Sequence, residues 1–201
     1  MKIALLIGCM ASGKDTILKE VVGQGIAKPV ISHTTRPMRK NEQDGVEYYF
    51  TTDEEMLNMK DNNEFIDFKQ YQTADGSIWY YGINKSNFDL NSSEVYITIV
   101  DIKGMKEIKK HLKRYENVEI TTFFIDADKE IRKSRSMSRD DITPKKEKEI
   151  IRRMKDDEIN VEAFKKECDW ILRNENYLDL YSIVRTIALT LGNEKLKYNN
   201  F

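Results

Sequence analysis

Five apolar residues, Ile3 to Ile7, run straight into Gly8-Cys9-Met10-Ala11-Ser12-Gly13-Lys14-Asp15-Thr16. An unbroken apolar run of that length reads as a strand covered on both faces. The pattern G-x-x-x-x-G-K directly after it reads as a loop whose successive backbone N–H groups wrap an anion at a helix N-terminus. Glycine is required where a side chain would block the approach, and Lys14 supplies a point charge for terminal phosphates. Gly8, Ala11, Ser12, Gly13, Lys14, Asp15 and Thr16 are therefore the candidate triphosphate cradle. The motif usually continues with Ser or Thr, whose hydroxyl meets magnesium; here Asp15 occupies that place and Thr16 follows. Either Asp15, through water, or Thr16 is the candidate for the metal.

The rest of the chain continues the strand and helix alternation. Apolar runs are read as strands at Val30-Ile31, Val46 to Phe50, Val95 to Val100, Thr121 to Ile125 and Trp170 to Leu172. Helical spacing covers Lys14 to Val22, Met105 to Tyr115, Lys129 to Met137, Lys145 to Phe164 and Leu178 to Leu191. Such alternation predicts an α/β fold with a largely parallel sheet. Thr52-Asp53-Glu54-Glu55 reads as a capping box opening a short helix that buries Met56 and Met59. Glu64 to Gln72 and Ser77 to Tyr81 flank Ala74-Asp75-Gly76, which is hairpin chemistry. Antiparallel pairing there predicts a small second sheet. The tail from Asn193 to Phe201 is expected to fray.

With 33 Lys+Arg against 34 Asp+Glu the formal net charge is −1, so no global field favours nucleic acid or an anionic membrane. Phosphate binding must be local. Cys9 and Cys168 lack short-range Cys or His partners, so neither a disulfide framework nor a zinc site is indicated and a reduced, cytoplasmic protein is expected. The N-terminal apolar run is too short for a secretion signal, and no segment approaches the roughly 18 apolar residues of a membrane span.

A second anion site is written in Ser32-His33-Thr34-Thr35-Arg36-Pro37-Met38-Arg39, followed by Glu42, Asp44-Gly45, Tyr48 and Phe50. Two neighbouring arginines offer forked donors suited to a monophosphate. With Asn63-Glu64-Phe65-Ile66, Tyr80-Tyr81-Gly82 and the strand ending at Asp101, this set resembles guanylate kinases. The likeness is residue by residue over about the first half of the chain and a pattern beyond it. The resemblance implies that Ser32, Arg36, Arg39, Tyr48 and Tyr81 bind an acceptor phosphate, and that Asp67 and Asp101 lie at the base, Asp101 also near the metal. Taken singly, Tyr48 and Tyr81 fit a packed core as well, and Asp101 fits an ordinary strand-end turn.

Two positions depart from the family. Where it places Glu and then Ser or Thr to read guanine, this chain has Asp67 and Ile83. Asp67 keeps a carboxylate one methylene shorter, and Ile83 cannot donate to the base O6, so Ser77, Tyr80 or Ser86 are considered as substitutes. Further on, Arg132, Arg135, Arg139, Arg152 and Arg153 surround Asp140-Asp141-Ile142-Thr143, a segment that resembles the lid of nucleoside monophosphate kinases. The resemblance gives Arg135 to the donor nucleotide and makes Arg139 and Arg153, with Lys14 and Arg36, the catalytic set; the alternative for each lid arginine is a solvated face paired with nearby aspartates.

The expectation is one P-loop-type three-layer αβα domain over 1–201, with core segments 1–32, 84–134 and 146–201. A mixed NMP-binding subdomain spans about 33–83 and a helical lid about 135–145. The implied reaction is Mg²⁺-dependent transfer from ATP to GMP or dGMP, in a monomer or homodimer that binds small nucleotides. Rival readings are another acceptor, such as a different purine nucleotide or a ribose phosphate, and a non-catalytic scaffold module.

Overall fold

The computed structural model describes residues 1–40, 42–73, 76–138, 143–159 and 161–192. In chain order the elements are β1 (Lys2–Ile7), α1 (Lys14–Gly23), β2 (Lys28–Pro29), β3 (His33–Thr34), β4 (Tyr49–Phe50), α2 (Asp53–Asp61), β5 (Phe65–Gln72) and β6 (Ile78–Asn84). They continue with β7 (Val95–Ile99), α3 (Ile102–Leu112), β8 (Glu119–Asp126), α4 (Lys129–Met137), α5 (Pro144–Glu158), α6 (Val161–Lys166), β9 (Trp170–Arg173) and α7 (Tyr177–Thr190).

A five-stranded sheet ordered β2-β7-β1-β8-β9, with every pairing parallel, forms the centre of the molecule. The period of two along β1 decides its layers. Ile3, Leu5 and Ile7 pack with Met105, Ile108 and Leu112 of α3, while Ala4 and Leu6 pack with Ile17 and Val21 of α1 and Ile183, Val184 and Ile187 of α7. Both faces are thereby covered, which is why β1 reads as continuously apolar. The P-loop-type three-layer αβα fold expected from the sequence is observed.

The second sheet, ordered β4-β3-β6-β5, is mixed: β3 runs parallel to β4 and antiparallel to β6, and β5 and β6 form the expected hairpin. Helix α2 has its Thr52–Glu55 capping box, with Met56 buried and Met59 only half-buried.

Some boundaries move. The strand expected at Val30-Ile31 pairs two residues earlier, at Lys28–Pro29, although Val30 N still donates to Ile97 O. The Val46 to Phe50 run shortens to Tyr49–Phe50 because Asp44 to Tyr48 close a turn in which Gly45 N donates to Tyr48 O. Helix α3 begins earlier than expected, because Asp101 Oδ1 accepts from Gly104 N at 2.8 Å and caps it. The single helix expected over Lys145 to Phe164 is two. In one helix Asp157 and Val161, four apart, would share a stripe; the break lets Asp157 reach the amide of Met10 while Val161 and Phe164 pack against the cluster of Ile3 and Leu5. Residues 139–142 of the lid expected at about 135–145, and the tail from Asn193, lie outside the described residues.

Candidate active site

The loop between β1 and α1 has the backbone its glycines allow. Gly8 has φ +151°, and a Cβ there would stand 2.4 Å from Ile125 O; Gly13 has φ +96°, and a Cβ there would stand 2.2 Å from Asn174 Nδ2. Ala11 takes φ 59°, a conformation that costs a non-glycine residue about 1 kcal/mol or more. Lys14 Nζ folds back on the loop, donating to Gly8 O at 2.8 Å and Cys9 O at 2.7 Å. Burial pulls the Lys14 ammonium below its usual range, against the opposing effect of Asp15. Asp15 and Thr16 stand exposed on the first turn of α1.

Three residues outside the motif hold this loop. Asn174, at the end of β9, donates from Nδ2 to Ser12 O at 2.7 Å, and Ser12 is fully buried. Arg135 Nη1 donates to Asn174 O at 2.9 Å, which brings that guanidinium beside Gly13. Asp157 Oδ2 accepts from Met10 N at 2.5 Å and lies 3.8 Å from Arg132 Nη1.

The second cradle is built on β3, the turn after it and β4. Arg36, 6% exposed, is anchored through its backbone N to Thr34 Oγ1 at 3.1 Å. Its Nη1 donates to Pro37 O at 2.7 Å, and its Nη2 donates to both carboxylate oxygens of Glu42 at 2.8 and 2.9 Å. Glu42 also accepts from Arg39 N at 2.8 Å, so one carboxylate organises both arginines, while the Arg39 side chain stays largely exposed. The Arg36 guanidinium carbon lies 5.4 Å from the Tyr48 ring centroid and 5.7 Å from that of Phe50, within cation–π range. Tyr48 and Tyr81 meet edge to face at 6.1 Å, and Ser32 is half-buried next to β3, its carbonyl accepting from Tyr49 N.

The two cradles adjoin. Lys19 of α1 pairs with Glu47 at 3.2 Å, one residue from Tyr48. Burial pushes the Tyr48 phenol up, reinforced by Tyr81 and by the Asp15 carboxylate on the first turn of α1. Helix α1 therefore adjoins the turn that carries Tyr48.

The wall beyond Tyr81 carries Asp67, Lys69 and Asp101. Asp67 is 5% exposed, and burial raises its carboxyl above the ordinary 3.8 against the pull of Lys69. Lys69 Nζ lies 2.8 Å from Asp67 Oδ2 and 2.8 Å from Asp101 Oδ1. A cleft of about 670 Å³ opens here, lined among others by Lys69, Tyr81, Asp101 and Lys103.

A family profile described as guanylate kinase matches residues 1–189. The chain belongs to the guanylate kinase family. Among curated relatives, guanylate kinase of Thermotoga maritima is 28% identical over 188 residues, covering 92% of this chain and 84% of that protein. Guanylate kinase of Prochlorococcus marinus is 31% identical over 114 residues, 54% of this chain and 58% of that protein. The crystal structure of guanylate kinase from Anaplasma phagocytophilum superposes with a TM-score of 0.66 at 21% identity, covering 98% of this chain and 87% of that one, and agrees in fold.

Within that guanylate kinase fold, the residues expected at the donor loop and at the acceptor phosphate gather at two adjoining cradles. Arg153 has other partners here: its Nε donates to Glu149 Oε1 at 2.8 Å and to Tyr71 Oη at 2.9 Å, and its guanidinium carbon lies 4.6 Å from the Tyr71 ring centroid. Arg139 lies outside the described residues. Asp101 is first a helix cap, and the same Oδ1 also takes Lys69. Ile83 is buried in the core at 3% exposure. Of the substitutes considered for its missing donor, Tyr80 stacks on Phe68 on the other face of the hairpin and Ser86 Oγ donates to Asn84 Oδ1.

Glu42, Lys69, Asn174 and Asp157 were not singled out from sequence as site residues. Glu42 was visible inside the arginine motif. Lys69 was accessible to the period of two, which sets it beside Asp67 and across from Tyr81. Asn174 and Asp157 reach the loop from distant segments, and no local pattern marks them.

Proposed function

We propose that this chain transfers the γ-phosphoryl group of ATP to GMP or dGMP. The observation that carries the reading is the apposition of the two cradles through the Lys19–Glu47 ion pair, next to a cleft lined by Lys69, Tyr81 and Asp101. In this reading the loop amides and Lys14 hold the donor phosphates, with Arg135 beside them. Arg36, Arg39, Ser32, Tyr48 and Tyr81 hold the acceptor phosphate. One of its oxygens attacks the γ-phosphorus, a new P–O bond forms, and the bond from phosphorus to the β–γ bridging oxygen breaks to leave ADP. No covalent enzyme intermediate is needed, because this chemistry depends on positioning and on positive charge around the transferring group.

Magnesium carried on ATP would supply positive charge against the phosphate oxygens. Among the described residues no group of three or more His, Cys, Asp or Glu is arranged around a point. That donor set fits an ion carried mainly by phosphates and water, as Mg²⁺ commonly is, with Thr16 or Asp15 and Asp101 as the protein contacts. Arg139 and Arg153 are assigned to the charge shell of the closed state. The mixed sheet serves as the acceptor subdomain and the segment near 135–145 as the lid. No helix among the described residues is long and apolar enough to cross a membrane, and a cytoplasmic location fits the buried free thiol of Cys9.

A coupled ADP-release assay across GMP, dGMP, IMP, AMP and ribose 5-phosphate tests the reading. The expected result is Mg²⁺-dependent turnover of GMP and dGMP that Lys14→Ala abolishes. Turnover of none of these acceptors, or of AMP in preference to GMP, overturns it.

A further inference from the structure

The base-reading wall has a carboxylate but no hydroxyl donor where the family places one, since Ile83 belongs to the core. A donor stands two residues along the hairpin from Asp67. The register pairs Asp67 with Ile83 and Lys69 with Tyr81, so Asp67, Lys69 and Tyr81 share one face of the sheet. Lys69 Nζ sits 2.8 Å from Asp67 Oδ2 and 2.8 Å from Asp101 Oδ1, and its side chain is 23% exposed toward the cleft that it lines with Tyr81 and Asp101. An ammonium has three hydrogens, and these two carboxylates take two.

Two further observations mark the pair as a built recognition edge. Asp67 Oδ1 is buried and has no hydrogen-bond partner among the described residues, an acceptor with nothing to accept. Gly104, on the first turn of α3, leaves the space the pair occupies: a Cβ there would stand 2.6 Å from Asp67 Oδ2 and 2.9 Å from Lys69 Nζ.

We propose that Lys69 is a specificity-determining residue that reads the C6 carbonyl of the purine, replacing the donor that Ile83 cannot supply. The proposal rests on the reading of this cleft as the acceptor nucleotide site. A 6-oxopurine presents a carbonyl acceptor beside the N1–H donor, which complements a neighbouring ammonium and carboxylate. Adenine presents the reverse, an amino group at C6 and a bare N1, so donor would face donor and acceptor would face acceptor. Mismatch at both atoms is the means of rejection.

The competing role is that Lys69 only balances the charge of buried Asp67. The two roles separate in a pair of substrates that differ at one atom, GMP and 6-thio-GMP. Sulfur is a poor acceptor, while N1–H and the 2-amino group are retained. Wild-type protein is expected to prefer GMP to 6-thio-GMP in kcat/KM by about tenfold or more. Lys69→Met is expected to lower kcat/KM for GMP by about 10- to 100-fold, the loss of one hydrogen bond from a charged donor, and to bring the ratio of the two substrates close to one. Lys69→Arg restores most of the preference. Any general damage to Asp67 or to the fold acts on both substrates alike and cancels in the ratio, and an unchanged KM for ATP in the variants confirms an intact donor site. A GMP to 6-thio-GMP ratio equal in wild type and Lys69→Met overturns the assignment and leaves the function standing. Wild-type protein that phosphorylates neither substrate overturns the function, and this assignment with it.

Discussion

The side-chain amide of Asn174 donates to the carbonyl of Ser12 at 2.7 Å, joining the end of the sheet's outer strand β9 to the phosphate loop across 162 positions of sequence. The bond ties the loop's backbone at Ser12 to the end of β9. Asn174 is itself held from both sides, its N–H donating to Asp126 O and its carbonyl accepting from Arg135.

Asn174→Ala is therefore expected to leave the carbonyl of a fully buried residue without its partner. The cost is about 1–3 kcal/mol of stability, together with a raised KM for ATP and little change in acceptor KM. Urea unfolding and steady-state titration of each substrate check this; a variant with wild-type ATP KM would show that the loop holds its shape alone.

Arg36 already serves Pro37 and both oxygens of Glu42. A lysine in its place has one nitrogen to offer, so it cannot keep that anchorage and also receive a phosphate in a forked geometry. Arg36→Lys is expected to raise the acceptor KM by about 10- to 100-fold, the worth of one charged hydrogen bond, with ATP KM nearly unchanged. Equal increases in both values would place Arg36 outside the acceptor cradle.

Helix α5 is tied to the tip of the β5–β6 hairpin through Glu149, which takes Arg152, Arg153 and the Tyr71 hydroxyl. The hydrogen bond from Arg152, aided by those from Tyr71 and Arg153, pulls the Glu149 carboxyl from its ordinary 4.5 down to about 2. A carboxyl whose folded value is depressed stabilises the fold above its unfolded value and loses that contribution as pH falls toward the folded one. Wild type is thus expected to be more stable than Glu149→Gln at pH 6, with the gap closing as pH drops from about 4.5 toward about 2. Paired urea unfolding curves at pH 6 and pH 3 measure it. A gap that is the same at both pH values removes the carboxylate's charge as the cause.

Much of the framework was legible because its signals are local. A strand, a glycine turn and a helix start are adjacent in sequence, so Gly8 to Thr16 declared their conformation without reference to anything else. The Thr52–Glu55 box closes within one helical turn, and the hairpin of β5 and β6 closes around Gly76. The arginine motif was readable for the same reason. The single long helix expected after Pro144 failed because its interruption answers to contacts at Met10 and at the β1 core, which lie far off along the chain.

Residue order by itself determined the alternating α/β layout, the phosphate loop and the paired arginines, since each depends on neighbours within a few positions and on the hydrophobic period. Only the folded chain decided how those pieces are held and aimed: Glu42 serving Arg36 and Arg39, Asn174 and Asp157 bracing the loop, and Lys69 bridging Asp67 to Asp101. Hydrogen bonds and ion pairs act over a few ångströms of space and are indifferent to separation along the chain. A partner 162 positions away leaves no trace in local sequence until sheet pairing and core packing bring it within reach.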